Sequence, residues 1–128
     1  MIKLIVAGSR TIDDYEFVKF QIIAFLEPFI HADDLDSLEI VSGGAIGVDQ
    51  LGERYAAENN FKVKQFLPQW ELFGNQAGFI RNRDMAHYAT HCLVLAENES
   101  SGSKNMFETA RGIGLETKVV HYDRSKVR

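Results

Sequence analysis

Short β-rich apolar runs alternate with helical patterns along the whole chain, and this alternation predicts a parallel sheet covered by helices on both faces. The predicted strands are Ile2–Ala7, Leu38–Ser42, Lys62–Leu67, His91–Ala96 and Lys118–Tyr122. The first helix starts near Asp14, with Asp13 and Glu16 as a capping box and a core-facing stripe at Tyr15, Val18, Ile22, Phe25, Leu26 and Phe29. A second runs from Gly47 to Asn59, a third from Ala77 to Tyr88, and a fourth from Lys104 to Ile113, stopped by Gly114. An irregular loop follows Pro68, and the tail Asp123–Arg128 is expected to fray. Right-handed crossovers then give an α/β fold: a three-layer, Rossmann-like sandwich with a mainly parallel five-stranded sheet in the order 3-2-1-4-5.

At 128 residues the chain is expected to form one domain, residues 1–128. A net charge of -4 opposes the phosphate backbone of nucleic acid, so nucleic acid is an unexpected partner. The single cysteine, Cys92, lies in an apolar strand and reads as a buried, inert thiol. The first apolar run is too short for a signal segment or membrane span, so a cytoplasmic setting without membrane association is expected. His31, His87, His91 and His121 lack metal-ligand spacing, so neither a metal site nor a cofactor is expected. No Gly-x-Ser-x-Gly elbow supports a serine nucleophile.

In such sheets ligands bind at the carboxyl ends of the strands, so the strand-to-helix turns carry the candidate site. After the first strand come Gly8, Ser9 and Arg10: close backbone approach, a hydroxyl and a guanidinium fork for an anion, or else an ordinary turn with a surface arginine. After the second come Gly43, Gly44, Ala45, Gly47 and Asp49, where consecutive glycines can turn N–H groups toward a phosphate at a helix N-terminus. Asp49 either complements that helix dipole or holds a ribose hydroxyl. Arg81 can reach a phosphate and Asn82 a sugar or base; alternatively Arg81, Arg83 and Asp84 form a solvated helix face, the preferred reading for Arg83. Trp70 is either a stacking platform or packing. Gly102, Ser103 and Asn105 open the last helix, where Ser103 can also act simply as an N-cap.

Taken in order, Ala7-Gly8-Ser9-Arg10, Gly43-Gly44-Ala45-x-Gly47-x-Asp49, Pro68-x-Trp70 with Gly74, Ala77-Gly78-x-x-Arg81-Asn82-x-x-Met85 and Gly102-Ser103-x-Asn105-Met106 resemble the YspA-type (YAcAr, cpYpsA-related) branch of the SLOG superfamily. That superfamily includes the Lonely-Guy phosphoribohydrolases and the DNA-processing protein DprA. The resemblance implies a small nucleotide or nucleotide-derived ligand, such as an NAD- or ADP-ribose-related one, bound at the glycine-rich turns. It also implies a homodimer, because relatives close a shallow ligand rim with a second subunit.

An enzyme alternative is a nucleotide N-glycosidase or phosphoribohydrolase. The Lonely-Guy enzymes carry Pro-Gly-Gly-x-Gly-Thr-x-x-Glu after the fourth strand, with the glutamate working beside an arginine whose place Arg81 fits. Here asparagine stands roughly where the glutamate would fall, and Glu99 and Glu108 are displaced. An amide cannot carry a proton as a carboxylate does. Arg81 with Glu53, Asp49 or Glu108 are therefore only weak catalytic candidates. A further alternative, a DprA-like binder of single-stranded DNA, rests on Gly43–Asp49 and conflicts with the acidic charge.

Overall fold

The computed structural model describes residues 1–30, 37–98 and 100–126; His31 and Glu99 lie outside that set. Its strands are β1 (Lys3–Gly8), β2 (Glu39–Ser42), β3 (Lys62–Gln65), β4 (His91–Ala96) and β5 (Glu116–His121). All neighbouring pairs are parallel, in the order β3-β2-β1-β4-β5, which is the predicted doubly wound sheet. The order reverses between β1 and β4, and Ile5 pairs in register with both Val41 of β2 and Cys92 of β4.

Strand residues alternate between two cores, as the pleat requires. Leu4, Val6, Leu93 and Leu95 pack beneath helices α1 (Tyr15–Leu26) and α2 (Val48–Glu58). Ile5, Ala7, Cys92 and Val94 pack beneath α4 (Ala77–Tyr88) and α5 (Ser101–Ile113). Burial pushes the Cys92 thiol up to about 12, so it is a packing residue. The predicted stripe on α1 is buried at Tyr15, Val18, Ile22, Phe25 and Leu26. Phe29 lies past the helix end and packs edge-on against Phe25 at 5.7 Å.

Several boundaries differ from the sequence reading. The α1 cap is Asp14, not Asp13: its carboxylate accepts the Phe17 N–H at 3.1 Å. β3 stops at Gln65, and the Pro68 loop contains a short helix, α3 (Trp70–Phe73), followed by a 3-10 turn over Gly74–Gln76. α5 begins three residues early because Ser100 caps it, accepting the Ser103 N–H at 3.3 Å. The tail is not frayed through Lys126: Arg124–Lys126 form a 3-10 turn anchored on the β1 and β4 loops.

Candidate functional site

The β1–α1, β2–α2 and β4–α5 turns, together with the α3–α4 segment, enclose an open cleft of about 900 Å³ at the carboxyl rim of the sheet. Of the sequence candidates, Gly8, Ser9, Arg10, Gly43, Gly44 and Ala45 line it. So do Asp49, Trp70, Arg81, Asn82, Gly102 and Ser103, whereas Gly47 and Asn105 do not. Glu53 accepts a hydrogen bond from Gln65 at 2.8 Å, and neither it nor the exposed Glu108 lines the cleft. Both therefore stand outside the cleft lining in this structure.

At the α2 turn the expected phosphate donors are already engaged. The Gly44 N–H donates to the Ser42 hydroxyl at 3.0 Å and the Ala45 N–H to Asp49 Oδ2 at 3.2 Å. The Gly8 N–H also supports the Asp49 carboxylate. Asp49 thus acts as an internal anion at this helix N-terminus. Burial raises its pKa from 3.8 to about 6, against the lowering effects of the Ala45 N–H and the Arg81 charge. Two glycines permit this geometry. Gly47 sits at φ 86°, and Gly43 is wedged so that a methyl group there would lie 2.7 Å from the Arg81 guanidinium carbon and 2.9 Å from Asp49 Oδ2.

Arg81 fastens this turn to α4. Its Nη1 donates to the Gly43 carbonyl at 2.8 Å and to the Phe66 carbonyl at 3.4 Å, and its Nε donates to Asn82 Oδ1 at 3.0 Å. Asn82 in turn donates to Asn105 Oδ1 at 3.0 Å and to the Gly102 carbonyl at 3.5 Å. Asn82 is therefore a buried bracket between α4 and α5, and Asn105 contributes from behind the cleft wall. Ser9 plays a similar part: its hydroxyl accepts the Glu97 N–H at 2.8 Å and donates to the Glu97 carbonyl at 3.3 Å.

The α5 N-terminus is different. Ser103 is only 7% exposed, and its hydroxyl has no hydrogen-bond partner among the described residues. The first-turn N–H groups of Ser101 and Gly102 likewise find none there, and no acidic side chain occupies that turn. Arg10 is exposed, makes no hydrogen bond or ion pair among the described residues, and lies close enough to lower the Arg81 pKa, although burial is the larger cause. Trp70 flanks the cleft with its ring beside Gly78, and Ile46 and Phe79 add exposed apolar surface.

Glu97, absent from the sequence candidates, also lines the cleft. Its position directly after β4, on the rim where ligands bind, was the available signal. Among the described residues no cluster of three or more His, Cys, Asp or Glu is placed to hold a metal, and no helix is long and apolar enough to cross a membrane.

The sequence model of the YspA, cpYpsA-related SLOG family (YAcAr) matches residues 2–73, more than half of the chain. The chain belongs to the YspA, cpYpsA-related SLOG family. The matched span covers the glycine turns after β1 and β2, while Arg81 and the α5 turn lie beyond it. The Gene 61 protein of Mycobacterium phage D29 is 32% identical over 84 residues, covering 61% of this chain and 67% of that protein. DNA processing protein A (DprA) from Streptococcus pneumoniae superposes with a TM-score of 0.72 over 98% of this chain at 20% identity. This chain spans 52% of that DprA chain, and at such identity the likeness shows the fold alone.

Proposed function

We propose that the cleft binds a phosphate-bearing nucleotide or nucleotide-derived ligand, with its anion at the α5 N-terminus. The observation that carries this reading is the buried Ser103 hydroxyl, which has no partner among the described residues, beside first-turn amides that likewise find none there. A buried polar group without a partner is costly, and a helix N-terminus favours negative charge, so an anionic oxygen satisfies both at once. Arg10 and the outer end of Arg81 supply positive charge from across the cleft. Trp70, Ile46 and Phe79 form the apolar wall against which a base can pack. Membership of a nucleotide-associated family and the ligand position common to doubly wound sheets support the same reading.

Binding without turnover fits the two carboxylates that line the cleft among the described residues. Asp49 is held among backbone N–H groups, and Glu97 is held by Arg124 and Thr11. Calorimetric titration of the full chain with AMP, NAD and ADP-ribose should give saturable binding to at least one of them. Sustained release of free base during incubation would replace this reading with the N-glycosidase one.

We further propose that residues 1–128 act as a single domain in the cytoplasm and pair as a homodimer. Leu67, Trp70, Leu72, Phe73 and Phe79 are exposed, with Trp70 and Phe79 lining the cleft, and exposed apolar side chains of that kind can serve association. Light scattering at micromolar concentration should return twice the chain mass, and a monomer would refute the pairing.

A further inference from the structure

The C-terminal turn reaches back to the cleft mouth. The Tyr122 ring packs edge-on against Phe17 at 4.7 Å, and its hydroxyl donates to Asp14 at 3.2 Å, fixing the chain just before Arg124. The Arg124 guanidinium then grips both oxygens of Glu97, with Nε to Oε2 at 2.9 Å and Nη2 to Oε1 at 2.9 Å. Nη2 also donates to the Thr11 carbonyl at 2.9 Å, while Nη1 lies 3.6 Å from Asp13 Oδ1. The Thr11 hydroxyl completes the cluster, donating to Glu97 Oε1 at 2.8 Å. The Glu97 side chain is 11% exposed and lines the cleft, whereas Arg124 stands behind it.

We propose that Arg124 is a charge mask: it neutralises the Glu97 carboxylate so that an incoming anion meets the positive field of Arg10 and Arg81. The inference rests on the reading of the cleft as an anion site. Hydrogen bonds from Arg124 and Thr11 hold the Glu97 carboxyl below the usual range, so it is ionised at neutral pH. Left unpaired, that charge would face a phosphate in the same cleft and oppose it. The paired guanidinium cancels the charge through a two-point contact that a lysine cannot reproduce. Arg124 is thus a positioning residue whose effect on the ligand passes through Glu97, and the tail carrying it sets the affinity of the cleft.

Masking and simple fastening of the loops make different predictions. Loop fastening is lost with Arg124 whatever the charge at position 97, whereas masking becomes unnecessary once Glu97 is neutral. AMP and, separately, ADP-ribose are titrated calorimetrically into the full chain as wild type, Arg124→Ala, Arg124→Gln, Arg124→Lys and Arg124→Ala/Glu97→Gln, with thermal unfolding to check the fold. Arg124→Ala and Arg124→Gln should each weaken binding about tenfold, Arg124→Lys less, and the double variant should recover most of the loss. Arg124→Gln keeps a donor for the Thr11 carbonyl without the charge, and so serves if the alanine variant does not fold. Wild-type affinity in the folded single variants, or a double variant as weak as the single, overturns the masking role and leaves the cleft reading intact. Failure of the wild type to bind AMP, ADP-ribose and NAD alike overturns both.

Discussion

Two helix N-termini open onto the same rim, and they are built in opposite ways. At α2 the glycine-rich turn Gly43–Gly47 has the composition of a phosphate cradle, yet Asp49 and Ser42 accept its Ala45 and Gly44 N–H groups. At α5 the turn has a single glycine, but Ser103 and the Ser101 and Gly102 amides have no partner among the described residues. Glycine content at the α2 turn therefore accompanies a sharply bent backbone whose Gly44 and Ala45 N–H groups are already engaged. The α2 turn carries its own anion; among the described residues the α5 turn lacks one. Arg81 and Asn82 connect the two through a chain of hydrogen bonds from the Gly43 carbonyl to Asn105.

The largest expected effect comes from breaking the filled turn. At Gly47 a methyl group would collide with the Ser9 carbonyl oxygen and lie 2.6 Å from the Arg10 Cα, at a backbone angle that L-residues avoid. Gly47→Ala should cost about 3 kcal/mol or more in a denaturant titration. A cost under about 0.5 kcal/mol would mean that the turn is not held as described.

Asp49 supplies a pH signature. Its folded pKa, about 6, lies above the ordinary 3.8, so the native state binds the extra proton and its stability contribution declines as pH rises between those values. Relative to Asp49→Asn, the wild type should gain about 2.5 kcal/mol as pH is lowered from about 7 to about 4, because each pH unit well between the two pKa values contributes roughly 1.4 kcal/mol and less near either one. A stability difference independent of pH would contradict the raised pKa and the burial that causes it.

Arg81 serves both turns. From the sequence alone, Arg81→Ala is expected to weaken ligand binding with the fold unaffected, but its bonds to the Gly43 and Phe66 carbonyls add a structural cost. Affinity for AMP should fall by about 1.5–3 kcal/mol and stability by about 1 kcal/mol, with Arg81→Lys recovering only part of the affinity. Unchanged AMP affinity in a folded Arg81→Ala would remove the guanidinium from the site.

The smallest effect belongs to Ser103→Ala. Removing an unpartnered buried hydroxyl should leave the free protein as stable as before or about 1 kcal/mol more stable, while affinity for AMP falls by about 0.5–1.5 kcal/mol. Loss of stability without loss of affinity would show that the hydroxyl serves the fold.

The sheet was legible because its two-residue alternation and its turn residues point to the same topology. Leu4 and Val6 face one core and Ile5 and Ala7 the other, as the alternating directions of successive strand side chains demand. The start of α5 was harder to place, since Ser101 and Gly102 are poor helix formers and only the Ser100 cap sets the boundary. The position of the cleft was equally legible, because ligands sit at the carboxyl ends of parallel strands. The roles within it were not. Ser9, Asp49 and Asn82 look like ligand groups as residue types, but their polar atoms bond to Glu97, Ala45 and Asn105. Such partners depend on side-chain directions that a local motif does not contain. Arg124 is the extreme case: it pairs with Glu97, 27 residues away, and with Thr11, 113 residues away.

The contrast between the two turns is tested most directly by the backbone amide resonances during titration with AMP. If the α5 turn receives the anion, the Ser101, Gly102 and Ser103 amides shift most at saturation, while those of Gly44 and Ala45 stay near their free positions. The reverse pattern, with the largest shifts at Gly44 and Ala45, would show that the ligand displaces Asp49 and that the anion site is the α2 turn.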